Sequence, residues 1–203
     1  MSGENAIELL RLFVAIPVPE VIRQEIVIVQ EEMLSLVASG VVRWTKAEQI
    51  HLTLKFLGNV SVERIDDLKS SVQKVCANHF PVPLRAEGLG FFPNAYSPRV
   101  IWVGITDQDK RLQDLQKSIE RAVDQFAARP KVEQFVGHLT LGRFGNPRSS
   151  KSEKLMRRSL TMSSRLFGEW TAHEIQIMRS ESLPSGARHT LLANFRLRKI
   201  ESS

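Results

Sequence analysis

The chain has 203 residues, 42% hydrophobic and 25% charged, a balance that fits a soluble globular protein with a real core and excludes a disordered chain. Lys and Arg outnumber Asp and Glu by 28 to 22, giving +6 and a pI near 9.8, so an anionic partner such as a nucleic acid suits the charge. The single cysteine, Cys76, excludes an intrachain disulfide and a cysteine-based metal site and matches a reducing cytoplasm, while Glu4, Glu8 and Arg11 break up the start of the chain, so neither a signal peptide nor a membrane span is expected.

Residues 9–16 read as a mostly buried strand that Pro17 and Pro19 end. Apolar residues at Ile22, Ile26, Val29, Met33, Leu36 and Val37 predict a helix from Glu20 to about Ala38, closed by Gly40. Val41 to Thr45 is short and extended, with Trp44 assigned to the core rather than to a ligand. A strand at His51 follows, then a turn at Gly58-Asn59 and a helix over 62–78 that Ser61 caps. An extended stretch from Pro81 to Phe92, a turn over Asn94 to Pro98 and a strand from Arg99 to Ile105 form a hairpin. Residues 108–128 carry the clearest helical stripe, ended by Pro130. Beyond a strand at His138, Gly145-Asn146-Pro147 turns, Ser149 to Leu160 is a basic helix, and Arg165 to Trp170, Glu174 to Ser182 and Arg188 to Arg198 are strands, the last two joined through Leu183 to Gly186. This order gives an α+β protein with mainly antiparallel sheets and two similar halves.

The chain repeats one tetrapeptide, His51-Leu52-Thr53-Leu54 and His138-Leu139-Thr140-Leu141. With five His and seven Thr, random order yields about 0.2 His-x-Thr pairs, so the two copies point to an internal duplication. In a strand, His and Thr share one face and the leucines the other. Strict alternation also puts Phe56 with the buried leucines, Lys55 on the face of His51, and Arg143 away from His138 unless a bulge at Gly142 turns it back.

Two histidines from related strands suit in-line displacement at phosphorus, one taking a proton from water and the other giving one to the departing oxygen. Thr53 and Thr140 can then donate to the non-bridging oxygens. The main rival is a metal site, but a catalytic zinc wants a third protein ligand and neither motif carries a nearby Asp, Glu or Cys. No G-x-S-x-G, Walker-type or dinucleotide loop is present, and Cys76 falls among apolar residues of a predicted helix. His79 and His173 read as surface residues, Phe91, Phe92 and Trp102 as core, and Lys151, Lys154, Arg157 and Arg158 as a solvated helix face.

Around these motifs the chain resembles the 2H phosphoesterase superfamily, and within it the RNA 2',3'-cyclic phosphodiesterases also described as 2'-5' RNA ligases. The likeness includes Arg11-Leu12-Phe13-Val14-Ala15-Ile16, Trp44, the run from His51 to Gly58, Phe92-Pro93, Pro98 to Gly104, the run from His138 to Arg143, Ser180 to Leu183 and Gly186 to Arg188. It implies a bilobed fold with pseudo-two-fold symmetry, helices outside and a cleft between the lobes, formed by the whole of residues 1–203. It implies metal-free, cofactor-free opening of a terminal 2',3'-cyclic phosphate to a 2'-phosphate, with His51 as proton donor, His138 as proton acceptor, and Thr53, Thr140 and Arg143 on the phosphate. The implied partner is RNA with a cyclic-phosphate end, tRNA fragments among the candidates, met by a cytoplasmic monomer away from membranes. Ligation through a 2'-5' bond in the same cleft and non-catalytic binding of RNA ends are the alternatives. Two residues depart from the family pattern. Gly137 stands where Pro is usual, which is expected to loosen the start of the second strand, and His189 stands where an aromatic such as Tyr is common, which bears on base preference.

Overall fold

The computed structural model describes residues 8–127, 135–145, 153–183 and 186–199. In chain order the elements are β1 (Leu9–Pro17), α1 (Glu20–Leu34), β2 (Val42–Trp44), β3 (His51–Ser61), α2 (Ile65–Ala77), β4 (Val82–Phe92), β5 (Val100–Thr106), α3 (Arg111–Val123), β6 (His138–Phe144), α4 (Glu153–Leu160), β7 (Leu166–Ala172), β8 (Glu174–Leu183) and β9 (Gly186–Arg196). The strands form one antiparallel sheet in the order β7-β4-β5-β6-β3-β1-β8-β9, with β2 added beside β6.

The order is symmetric about the junction of β6 and β3, and that junction consists of one register pair, Leu52 with Leu139. These are the same position of the two tetrapeptides, so the pseudo-two-fold passes between them. One half contains β3, β1, β8 and β9 backed by α2 and α3; the other contains β6, β5, β4 and β7 backed by α1 and α4. Each helix offers an apolar stripe to its half, Ile22, Ile26, Val29 and Met33 on α1 and Leu112, Leu115, Ile119 and Val123 on α3. Beyond Leu52 and Leu139 the strands part, and β2 takes up the free edge of β6 with Val42, Arg43 and Trp44 opposite Phe144, Arg143 and Gly142. A Cβ on Gly142 would stand 2.6 Å from the Val42 side chain, so a bare backbone lets β2 approach.

Several boundaries differ from the sequence reading. The first long helix ends at Leu34, and the second starts at Ile65 after a short 3-10 turn over Val62–Arg64. Ser61 does not cap it, since its hydroxyl is buried without a partner. Gly58 and Asn59 are no turn. They lie within β3, where Leu57 is an extra residue between the pairs Leu12–Gly58 and Phe13–Phe56, and the positive φ of Gly58 (76°) absorbs the irregularity. The third helix covers Arg111–Val123, then a 3-10 turn to Phe126. The basic helix is seen over Glu153–Leu160; its expected start, the turn at 146–147 and Pro184-Ser185 fall outside the described residues.

Candidate active site

The two tetrapeptides are built alike down to single hydrogen bonds. In each, the leucines face the helices and His and Thr are half-buried on the open face. The His51 Nδ1 lies 2.7 Å from the carbonyl of Gln49, and the His138 Nδ1 lies 2.7 Å from the carbonyl of Val136. A carbonyl only accepts, so Nδ1 carries the hydrogen in both rings and Nε2 is left as the nitrogen available for chemistry. Neither Thr53 nor Thr140 uses its hydroxyl on another described residue, so both remain as donors for a ligand.

After the threonines both strands carry a bulge. Leu54 is extra between the pairs Val14–Lys55 and Ala15–Thr53, and Leu141 is extra between Ile101–Gly142 and Trp102–Thr140. An extra residue inverts the alternation beyond it. Arg143 is therefore turned onto the open face with His138, as a bulge beside Gly142 would require. In the first copy the same inversion overturns two expectations: Phe56 comes out onto the open face, and Lys55 turns inward. Lys55 is 4% exposed, and its Nζ donates to Glu120 Oε1 at 2.8 Å. It cannot reach a phosphate in the cleft.

Each bulge has a buried glutamine behind it. Gln116 on α3 donates to the carbonyl of Leu54 at 3.4 Å, and Gln30 on α1 donates to the carbonyls of Leu141 and Thr45 at 2.8 Å each. A carbonyl displaced from the ladder needs such a partner once it is buried. Sequence reasoning passed over both residues, although a Gln on an otherwise apolar stripe is the signal that marks them.

His51, Thr53, His138, Thr140 and Arg143 line one cleft of about 580 Å³ between the halves, together with Phe56, Arg11, Arg43, Trp44, Lys46, Gln49, Ser180, Ser182 and His189. Trp44 thus serves both readings, packing on the core and lining the cleft. Gln49 braces the β8–β9 tip by donating to the carbonyl of Ala187. No Asp or Glu among the described residues lines the cleft. Among the described residues no group of three or more His, Cys, Asp or Glu is placed to hold a metal ion.

The two imidazoles stand in different surroundings. His51 stacks on Phe13 with centroids 4.7 Å apart, and its pKa is pushed down to about 4, first by burial and then by the charges of His189, His138 and Arg143. His138 packs edge-on to Phe92 at 4.9 Å and near Trp102 at 6.3 Å; burial and Arg143 lower its pKa as well. Phe92 and Trp102 are therefore walls of the His138 site rather than remote core, and the Trp102 ring lies so close over Gly90 that a Cβ there would meet it at 2.2 Å. Phe91 does pack with the core, against Phe144. The Gly137 carbonyl accepts from the Ile105 N–H at 2.9 Å at the start of β6. Cys76 is buried on α2, and burial pushes its thiol up to about 12, which removes it as a nucleophile. His79 and His173 do not line the cleft.

The 2'-5' RNA ligase superfamily profile matches residues 40–183, a span that contains both tetrapeptides and both bulges. An RNA 2',3'-cyclic phosphodiesterase of Methanothermobacter thermautotrophicus is 29% identical over 92% of this chain and 98% of its own, and one of Archaeoglobus fulgidus is 31% identical over 87% and 94%. A crystal structure of a Thermus thermophilus protein superposes with a TM-score of 0.76 at 28% identity, covering 93% of this chain and 98% of that one. The chain belongs to the 2'-5' RNA ligase superfamily, the 2H phosphoesterases.

Proposed function

We propose that the protein is an RNA 2',3'-cyclic phosphodiesterase that opens a terminal cyclic phosphate to a 2'-phosphate using His51 and His138 and no metal. The observation that carries this is the pair of imidazoles, each with Nδ1 tied to a backbone carbonyl and Nε2 free, in one cleft that the described residues line with cations and no carboxylate. The names of the relatives support the substrate class.

In the reaction a water oxygen attacks phosphorus and gives its proton to His138 Nε2. The bond from phosphorus to O3' breaks, and O3' takes a proton from His51 Nε2. Thr53, Thr140 and Arg143 hold the non-bridging oxygens, where positioned donors count most. Burial and the neighbouring charges make His51 hard to protonate. His51 therefore takes up its proton from solvent as the substrate binds, because the anionic phosphate offsets the cost of a buried imidazolium. Both halves of the cleft come from one chain, which supports a monomer as the working unit, and RNA ends, tRNA fragments among them, as the partner.

The test is end-group analysis of an oligonucleotide with a 2',3'-cyclic phosphate, after exhaustive EDTA treatment and with or without a 5'-hydroxyl acceptor. The expected product is a 2'-phosphate in all arms. Dominant joining to the acceptor makes the protein a ligase; loss of turnover with chelator and recovery with zinc or manganese makes it a metallohydrolase; binding without turnover makes it an RNA-end-binding module.

A further inference from the structure

Elsewhere in the described structure several arginines meet carboxylates, Arg85 with Glu169, Arg158 with Glu32, Arg165 with Glu25 and Arg188 with Glu181, while Arg64 and Arg198 lie over the rings of Phe126 and Phe80. The cleft holds Arg11, Arg43, Lys46 and Arg143 without one acidic partner among the described residues. Two of these are set against each other. Arg43 and Arg143 are register partners across β2 and β6, a placement in which like charges repel. Both are exposed, and their mutual repulsion costs least when an anion lies between or beside them.

The two arginines are not equivalent toward the histidines. Arg143 acts on both imidazoles, whereas Arg43 acts on Arg143 and on neither imidazole. Arg43 thus stands one strand further out, about 5 Å beyond the residue that serves the reacting phosphate. A cyclic phosphodiester carries one negative charge, which Arg143 and a protonated histidine already meet. A nucleotide with a 2',3'-cyclic end has only one other place for a phosphate, its own 5' oxygen.

We propose that Arg43 on β2, with Lys46 beyond the end of β2 on the same cleft, forms a second anion site for the 5'-phosphate of the terminal nucleotide, so that the cleft selects an oligonucleotide end over a bare nucleoside cyclic phosphate. This rests on the phosphodiesterase reading for its orientation, but the site itself is read by binding and needs no turnover.

The probes are adenosine 2'-phosphate, adenosine 2',5'-bisphosphate, and the dinucleotide ApA 2'-phosphate with either its natural link or a neutral methylphosphonate link. Calorimetry gives Kd for each with the unaltered protein, Arg43→Gln and Arg43→Lys, and circular dichroism checks folding. A charge on the 5' oxygen should tighten Kd about tenfold or more in the unaltered protein, the effect of one charge-assisted hydrogen bond. Arg43→Gln should remove most of that ratio, and Arg43→Lys should keep much of it. A ratio unchanged by Arg43→Gln overturns the site. Tightening by the bisphosphate but not by the charged dinucleotide link makes the ligand a free nucleotide and overturns the oligonucleotide selection. Failure to turn over a cyclic-phosphate RNA, with these ratios as expected, would instead overturn the catalytic reading and leave the site standing.

Discussion

The ring of His189 stands edge-on to that of His51, centroids 5.2 Å apart, and both rings lie against Phe13. After burial, the charge of His189 is the largest cause of the low pKa of His51. Burial and then Arg11 hold His189 down in turn, and His138 and Arg143 face His51 from β6. His189→Phe keeps the ring and removes the charge, so the His51 midpoint, followed by NMR of its Cε1–H, should move up toward 6.5. A midpoint that stays near 4 contradicts this coupling. The sign for stability follows from the same shift. His51 binds its proton less well folded than unfolded, so between pH about 6.5 and about 4 the unfolded chain takes up more protons and stability falls as pH falls. The loss is at most roughly 3 kcal/mol, and His51→Asn should remove much of it in denaturant titrations across that window.

Lys55 is a stability residue, not a phosphate ligand. Removing one member of a buried ion pair strands the other, at about 3 to 5 kcal/mol. Lys55→Met should cost that much in chemical denaturation, and the double variant Lys55→Met/Glu120→Leu should recover a large part of it. A stable Lys55→Met protein with a raised KM would put Lys55 back in the cleft.

Much of this was legible in the chain. The duplicated tetrapeptide located both imidazoles and both hydroxyls, because four residues of regular strand obey simple alternation. Alternation fails at Leu54 and Leu141, where the bulges lie. Gly142 hinted at one of them, and the repeat carries the same inversion to Lys55 and Phe56, since Lys55 occupies the place of Gly142 and Phe56 that of Arg143. Arg43 and Lys46 had no comparable signal, and Arg11 had only its place in the family likeness. They reach the cleft through the pairing of β2 with β6 and of β1 with β3, which no local pattern encodes.

Arg143→Ala should lower kcat/KM by about 2 to 4 kcal/mol, as for one lost electrostatic donor. It should also let both imidazoles bind protons more readily, because the guanidinium depresses each of them. Steady-state kinetics together with NMR titration of the histidines check this. An unchanged kcat/KM would mean that the bulge brings Arg143 to the cleft without bringing it to the substrate.

If His51 and His138 act as one acid–base unit, kcat for His51→Ala, His138→Ala and the double variant on one cyclic-phosphate oligonucleotide will show it. Each single variant should lose about 10² to 10⁴ with folding intact, and the double variant far less than the product of the two losses, since groups that work together are not additive. A substrate with sulfur at the 3' bridging position, whose departure needs no proton, should rescue His51→Ala and not His138→Ala. Rescue of His138→Ala alone would exchange the two roles, and a folded single variant with wild-type kcat would remove that histidine from the mechanism.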